Sequence, residues 1–169
     1  MEGKSMPGED VLSIAEWRKK IGAKSPITSQ TPPEVAEALE HDADTTLNLL
    51  TALRLQAATT DKELTQTLGD YEAQAVLGRY YASKIRSAID LAEFNASADI
   101  AAQASALKHA GNALAHWKQY AAIYDRQYTP QLLNRVGTVD MPALTTQAAE
   151  DIEIIRTWKP GTAPLQKRK

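Results

Sequence analysis

Apolar positions along this chain recur with a helical period, and the clearest run lies between Asp61 and Phe94. It holds no proline and two glycines. Leu64, Leu68, Tyr71, Ala75, Gly78, Ala82, Ile85, Ile89 and Ala92 alternate spacings of four and three, a 3.5-residue period. A second stripe of Leu77, Tyr81, Ala88 and Leu91 widens the face. A coiled coil needs one narrow seam, so this width predicts a helix of roughly 50 Å covered on two sides, as in a bundle. The small centre, Ala75, Gly78 and Ala82, predicts close approach of a neighbour.

The flanking segments supply the partners. Ser13-Ile14-Ala15-Glu16 is a capping-box pattern, predicting a short helix through Trp17 and Ile21 that stops at Gly22 and lies across the bundle. Ala23–Gln30 reads as a linker. Thr31-Pro32-Pro33-Glu34 starts a second helix, with threonine as cap and proline in the first turn. Val35, Leu39, Leu47, Leu50 and Leu53 form its face out to about Ala57, and Ala58–Thr60 is a turn. Beyond a break at Asn95–Ser97, a helix from about Ala98 to Gln127 carries Ile100, Ala104, Leu107, Gly111, Leu114, Trp117, Ala121 and Tyr124. The short connection forces an antiparallel hairpin, which places Trp117 and Tyr124 near Leu68 and Tyr71. Tyr128-Thr129-Pro130 ends that helix. Gln131–Val139 reads as irregular. Asp140 caps a last helix with Leu144, Ala148, Ile152, Ile155 and Trp158 inward, and Lys159-Pro160-Gly161 ends it. The expected architecture is all-α: an antiparallel up-down four-helix bundle over 12–158 with a short additional N-terminal helix. Residues 1–11 are expected to be a mobile N-terminus and 159–169 a disordered basic tail.

Composition narrows the partners. The chain has 169 residues and a formal net charge of −2, a balance that argues against nucleic acid. About one residue in six is alanine, which favours closely packed helices. There is no cysteine, hence no disulfide and no thiolate ligand or nucleophile. No run reaches the length of a membrane span, and the N-terminus has no apolar signal core. As written, the chain is expected in the cytoplasm; as a fragment of a larger parent it would be secreted or periplasmic.

Catalytic patterns are sparse. No G-x-S-x-G, P-loop or G-x-G-x-x-G occurs. Glu37 with His41, and His109 with His116, share helix faces. None of the histidines sits three residues after a glutamate, as a di-iron bundle requires, so no metal or cofactor is expected. Asp42 and Asp44 lie beside one apolar face, and Asp70 and Glu72 beside the next. Carboxylates flanking such seams are nearly always solvated. Leu77-Gly78-x-x-Tyr81 matches a fragment of the tetratricopeptide consensus, but no second copy follows at the repeat's spacing. The aromatics stand out instead. Tyr120, Tyr124 and Tyr128 lie four apart, with Trp117 one turn earlier and Tyr80 and Tyr81 on the neighbouring helix. Asp125, Arg126, Gln127, Gln131, Asn134 and Arg135 lie beside them in sequence and can make planar hydrogen bonds. The candidate binding residues are Trp117, Tyr120, Tyr124, Tyr128, Gln131 and Arg135. The competing expectation is that Trp117 and Tyr124 are simply core.

Leu12-Ser13-Ile14-Ala15-Glu16-Trp17, Thr31-Pro32-Pro33-Glu34-Val35-Ala36, Leu77-Gly78-Arg79-Tyr80-Tyr81-Ala82-x-Lys84-Ile85-Arg86 and Trp117-x-x-Tyr120-Ala121-x-x-Tyr124, followed by Tyr128-x-Pro130-Gln131-Leu132, together resemble the helical C-terminal region of large bacterial carbohydrate-active proteins of the α-glucuronidase-like glycoside hydrolase type. The resemblance spans most of Leu12 to Trp158. Its motifs are helix-packing patterns, so it transfers no active-site residue. It implies a non-catalytic accessory module, with a glycoside hydrolase catalytic domain or glycan as partner. The alternative expectation is a stand-alone interaction or scaffold protein that self-associates through its alanine-rich seam.

Overall fold

The computed structural model describes residues 10–56, 61–129, 132–133 and 137–162. The predicted turn at 58–60 and most of the two terminal segments lie outside the described residues. The elements are α1 (Ile14–Gly22), α2 (Pro32–Gln56), α3 (Lys62–Ser97), α4 (Ile100–Gln127), β1 (Leu132–Leu133), β2 (Gly137–Thr138) and α5 (Met141–Thr157). The chain is an all-α, antiparallel up-down helical bundle. Successive long helices are neighbours: α2 packs on α3, α3 on α4 and α4 on α5, while α1 docks on α3.

The predicted helix starts are present. Ser13 and Glu16 form a capping box, Asp61 accepts from Leu64 N, and Asp140 accepts from Ala143 N ahead of Pro142. Each satisfies a helix N–H that has no intrahelical partner. The break between the two longest helices comes three residues later than predicted. Asn95–Ser97 is polar but contains neither proline nor glycine, so α3 continues to Ser97. Ala98 then turns left-handed at φ 58°, and Asp99 caps α4 by accepting from Ala101 N. The segment predicted as irregular contains an antiparallel pair, Leu132 opposite Thr138 and Leu133 opposite Gly137. Two-residue strands are too short to show an alternating pattern. Gly137 has φ +74°, a conformation that favours glycine. Asp10 O accepts from Gln30 N and Gln30 O from Leu12 N, so the arm before α1 and the end of the predicted linker run side by side.

α3 is buried along two adjacent seams. The predicted stripe faces α2: an added Cβ on Gly78 would lie 3.5 Å from Leu39 O and 3.6 Å from the Ala43 Cβ. Arg79–Asp44 and Arg86–Glu40 ion pairs border this seam. The second seam lies one position further round: Gly69, Ala73, Val76, Tyr80, Ser83, Ser87, Asp90 and Phe94. It faces α4, where Ala73 and Val76 cluster with Ile123, Tyr80 meets Trp117, and Ser87 Oγ donates to Ala106 O at 2.9 Å. The buried side chains on both seams are mostly alanine and serine, which permits close helix approach.

Several inward positions differ from the predicted ones. On α2 the buried residues are Pro32, Ala36, Ala43 and Leu50, and Leu53 is half-exposed. On α3, Leu64, Tyr71 and Tyr81 are exposed and Tyr80 is buried in place of Tyr81. On α4, Ala106, Ala110, Ala113 and Ile123 are buried, while Ile100 is 71% exposed and Ala104 is exposed. On α5, Met141 and Ile155 are buried and Leu144 points outward. Ile21 of α1 is exposed. On α2 and α4 most of the buried positions are alanine, which takes the contact line where helices approach closely and leaves larger side chains at its flanks.

Candidate functional site: an aromatic ladder opening on a groove

Residues 117, 120, 124 and 128 recur every three or four positions, so α4 and its C-cap present their rings on one face. Tyr80 and Tyr81 of α3 extend the row. Successive centroids are 5.0 Å (Tyr81–Tyr80), 5.1 Å (Tyr80–Trp117), 5.4 Å (Trp117–Tyr120), 6.4 Å (Tyr120–Tyr124) and 5.0 Å (Tyr124–Tyr128) apart. All fall in the range favoured by tilted aromatic pairs. The hairpin register sets the crossing point. Trp117 sits opposite Tyr80, not beside Leu68 and Tyr71 as predicted; it is Arg126, Gln127 and Tyr128 that reach Asp70 and Glu72.

The ladder is fixed at several points. Trp117 Nε1 donates to Thr145 Oγ1 at 2.9 Å, and that hydroxyl donates to Met141 O at 2.8 Å, tying α4 to the first turns of α5. Tyr120 packs on the Ala73–Val76–Ile123 cluster. Gln127 Nε2 donates to Asp70 Oδ1 at 2.7 Å and to Gln66 O at 3.0 Å. It fits because residue 69 is glycine: an added Cβ there would lie 2.0 Å from Gln127 Oε1. The Tyr128 hydroxyl donates to the same Asp70 oxygen. That hydrogen bond, with burial, raises the Tyr128 pKa above the ordinary tyrosine value. Burial raises that of Tyr120, aided by Tyr124 and Tyr81. Both hydroxyls are therefore donors at neutral pH.

The ladder ends in an open groove of about 510 Å³. Tyr124, Asp125 and Tyr128 form one wall, and Thr138, Val139, Asp140, Met141 and Pro142 the other. Of the predicted site residues, Tyr124 and Tyr128 line this groove. Trp117 and Tyr120 are half-buried within the ladder and support it without lining it. Gln131 and Arg135, with Asn134, lie outside the described residues. Arg126 and Gln127 turn to Glu72 and Asp70. The second wall had one legible signal, the long connection that returns to the start of α5.

Three of the other candidate residues, Asp44, Glu72 and His109, lie against oppositely charged groups. Asp44 pairs with Arg79, and Glu72 bridges Arg54 and Arg126 at 2.6 and 2.9 Å. Partial burial works against the Glu72 charge, but hydrogen bonds and charge from the two arginines outweigh it and lower the pKa. His109 Nε2 lies 3.7 Å from Asp90, which also accepts from Ser105 Oγ at 2.6 Å. Glu37 and His41 are exposed. Among the described residues no group of three or more histidines and carboxylates could hold a metal ion, and no helix is long and apolar enough to cross a membrane. Comparison with family models, curated proteins and solved structures finds no match to this chain.

Proposed function

We propose that the chain is a non-catalytic helical module of a carbohydrate-active protein, and that the α4–α5 groove holds glycan beside a catalytic domain. One observation carries the reading: a row of six aromatic rings, anchored on three helices, delivers Tyr124 and Tyr128 to the wall of an open groove. Tyrosine faces stack on the C–H surface of a sugar ring, and the adjacent Asp125, Thr138 and Asp140 side chains offer hydrogen bonds to its hydroxyls. The test is calorimetric titration with a panel of oligosaccharides. Tyr124→Ala and Tyr128→Ala should each weaken binding about tenfold or more while leaving the helical spectrum unchanged; equal affinity in wild type and both variants would defeat the assignment.

The scaffold alternative has one observation in its favour. Leu49, Leu53 and Leu55 are exposed on the last turns of α2. Light scattering over a wide concentration range tests it: a rising mass supports self-association and a constant monomer mass opposes it.

A further inference from the structure

We infer that the groove selects sugars by charge, preferring a chain that carries free ammonium groups, a hexosamine oligosaccharide, over its uncharged counterpart and over a uronic acid chain. The inference rests on reading the groove as a glycan site and adds the class of sugar.

The ladder already holds a half-buried ammonium group beside one of its rings. Lys84 Nζ lies 5.5 Å from the Tyr80 ring centroid and 2.8 Å from Asp151 Oδ2. A tyrosine ring and an aspartate thus share one ammonium where α3 meets α5. The hydrogen bond and charge of Asp151, added to the pull of Tyr80, outweigh the cost of burial and raise the Lys84 pKa. A cation over a tyrosine ring is attracted by the ring's negative face, and a carboxylate alongside adds to that attraction.

The other end of the same ladder presents the same two kinds of group. Tyr124 and Tyr128 line the groove with Asp125 and Asp140, and no cation stands among the described lining residues. Asp125 makes no ion pair or hydrogen bond with a described residue. Asp140 engages Ala143 N through Oδ1 and keeps Oδ2 for a ligand. Among the described residues, Arg126, next to Asp125 in sequence, is paired with Glu72. A hexosamine chain supplies ring C–H faces for the tyrosines and ammonium groups for the carboxylates. A uronic acid chain brings like charge to both.

The experiment compares a glucosamine tetramer, its N-acetylated counterpart and a galacturonate tetramer by calorimetry at low ionic strength. The first two share a skeleton and differ in charge. The free amine should bind roughly five- to tenfold more tightly than the N-acetylated tetramer, the size expected for exposed charge and cation–ring contacts. The galacturonate should bind least. The preference should shrink as salt is raised. It should also shrink towards equality in the Asp125→Asn, Asp140→Asn double variant, in which asparagine still caps α5. Equal or tighter binding of the N-acetylated tetramer, or a preference that survives in the double variant, would overturn the charge selection alone. Absence of binding by all three, together with silence across the wider oligosaccharide panel, would overturn the glycan reading and the selection with it.

Discussion

The two seams of α3 solve the same packing problem with different residues. The α2-facing seam has alanine and glycine at its centre, with Ala82 1% exposed, and its polar groups are ion pairs along the border. The α4-facing seam places Ser83, Ser87 and Asp90 at inward or half-buried positions and answers two of them from α4: Ala106 O accepts from Ser87, and Asp90 accepts from Ser105. Burial of a polar group is tolerated when its partner is supplied. The first seam can be written with small apolar residues alone, whereas the second depends on register, because a shift along α4 would separate the donors from their acceptors. The register-dependent seam is also the one that carries the ladder. Its end at Gly69, Asp70 and Gln127 positions Tyr128.

The largest break in this comparison should come from overfilling the apolar seam. Ala82→Leu adds bulk where two helices are in close contact and should cost about 1–3 kcal/mol in urea denaturation. A change below a few tenths would show that the helices can separate at little cost. Acid should act next, through the α2–α3–α4 bridge. Glu72 has a lowered pKa in the fold, so its stabilisation is present above the unfolded value of about 4.5 and is lost as pH falls through the lower folded value. Glu72→Gln should therefore reduce stability by under about 1 kcal/mol at neutral pH, discounted for solvent access, and the gap to wild type should close in acid. An unchanged gap across the acid range would remove the charge from the explanation.

Ser87→Ala should cost about 1 kcal/mol or less, since the lost hydrogen bond is partly offset by the better helix propensity of alanine. The smallest effect carries the sharpest sign. Gly69→Ala gains about 1 kcal/mol of helix propensity but displaces Gln127 from Asp70 and Gln66 O. The two terms nearly cancel in the wild-type background. With Gln127→Ala already present the clash is gone, and Gly69→Ala should become stabilising by about 0.5–1 kcal/mol. An identical effect in both backgrounds would mean that the glycine does not make room for Gln127.

The same contrast explains what was legible in the sequence. The apolar seam announced itself as a 3.5-residue period, and the caps at Ser13, Asp61 and Asp140 as residue types with a known partner three positions on. The α4-facing seam was hidden because serine and aspartate break an apolar pattern even when they face inward. The aromatic spacing put Trp117, Tyr120, Tyr124 and Tyr128 on one face, but spacing alone did not separate the two that line the groove from Trp117 and Tyr120, which are held inside the ladder by Thr145 and the Ile123 cluster. The second wall of the groove comes from residues adjacent in space and not in pattern: Thr138 on a two-residue strand, and Met141 and Pro142 in a first helical turn.

The most direct test of the account is an amide NMR titration of the isotopically labelled chain with the neutral, N-acetylated glucosamine tetramer. Chemical-shift changes are expected to concentrate at Tyr124–Tyr128 and Thr138–Met141, and in Tyr128→Ala to need about tenfold more sugar or more. Shifts confined to the exposed leucines of α2, or none at saturating sugar, would contradict it.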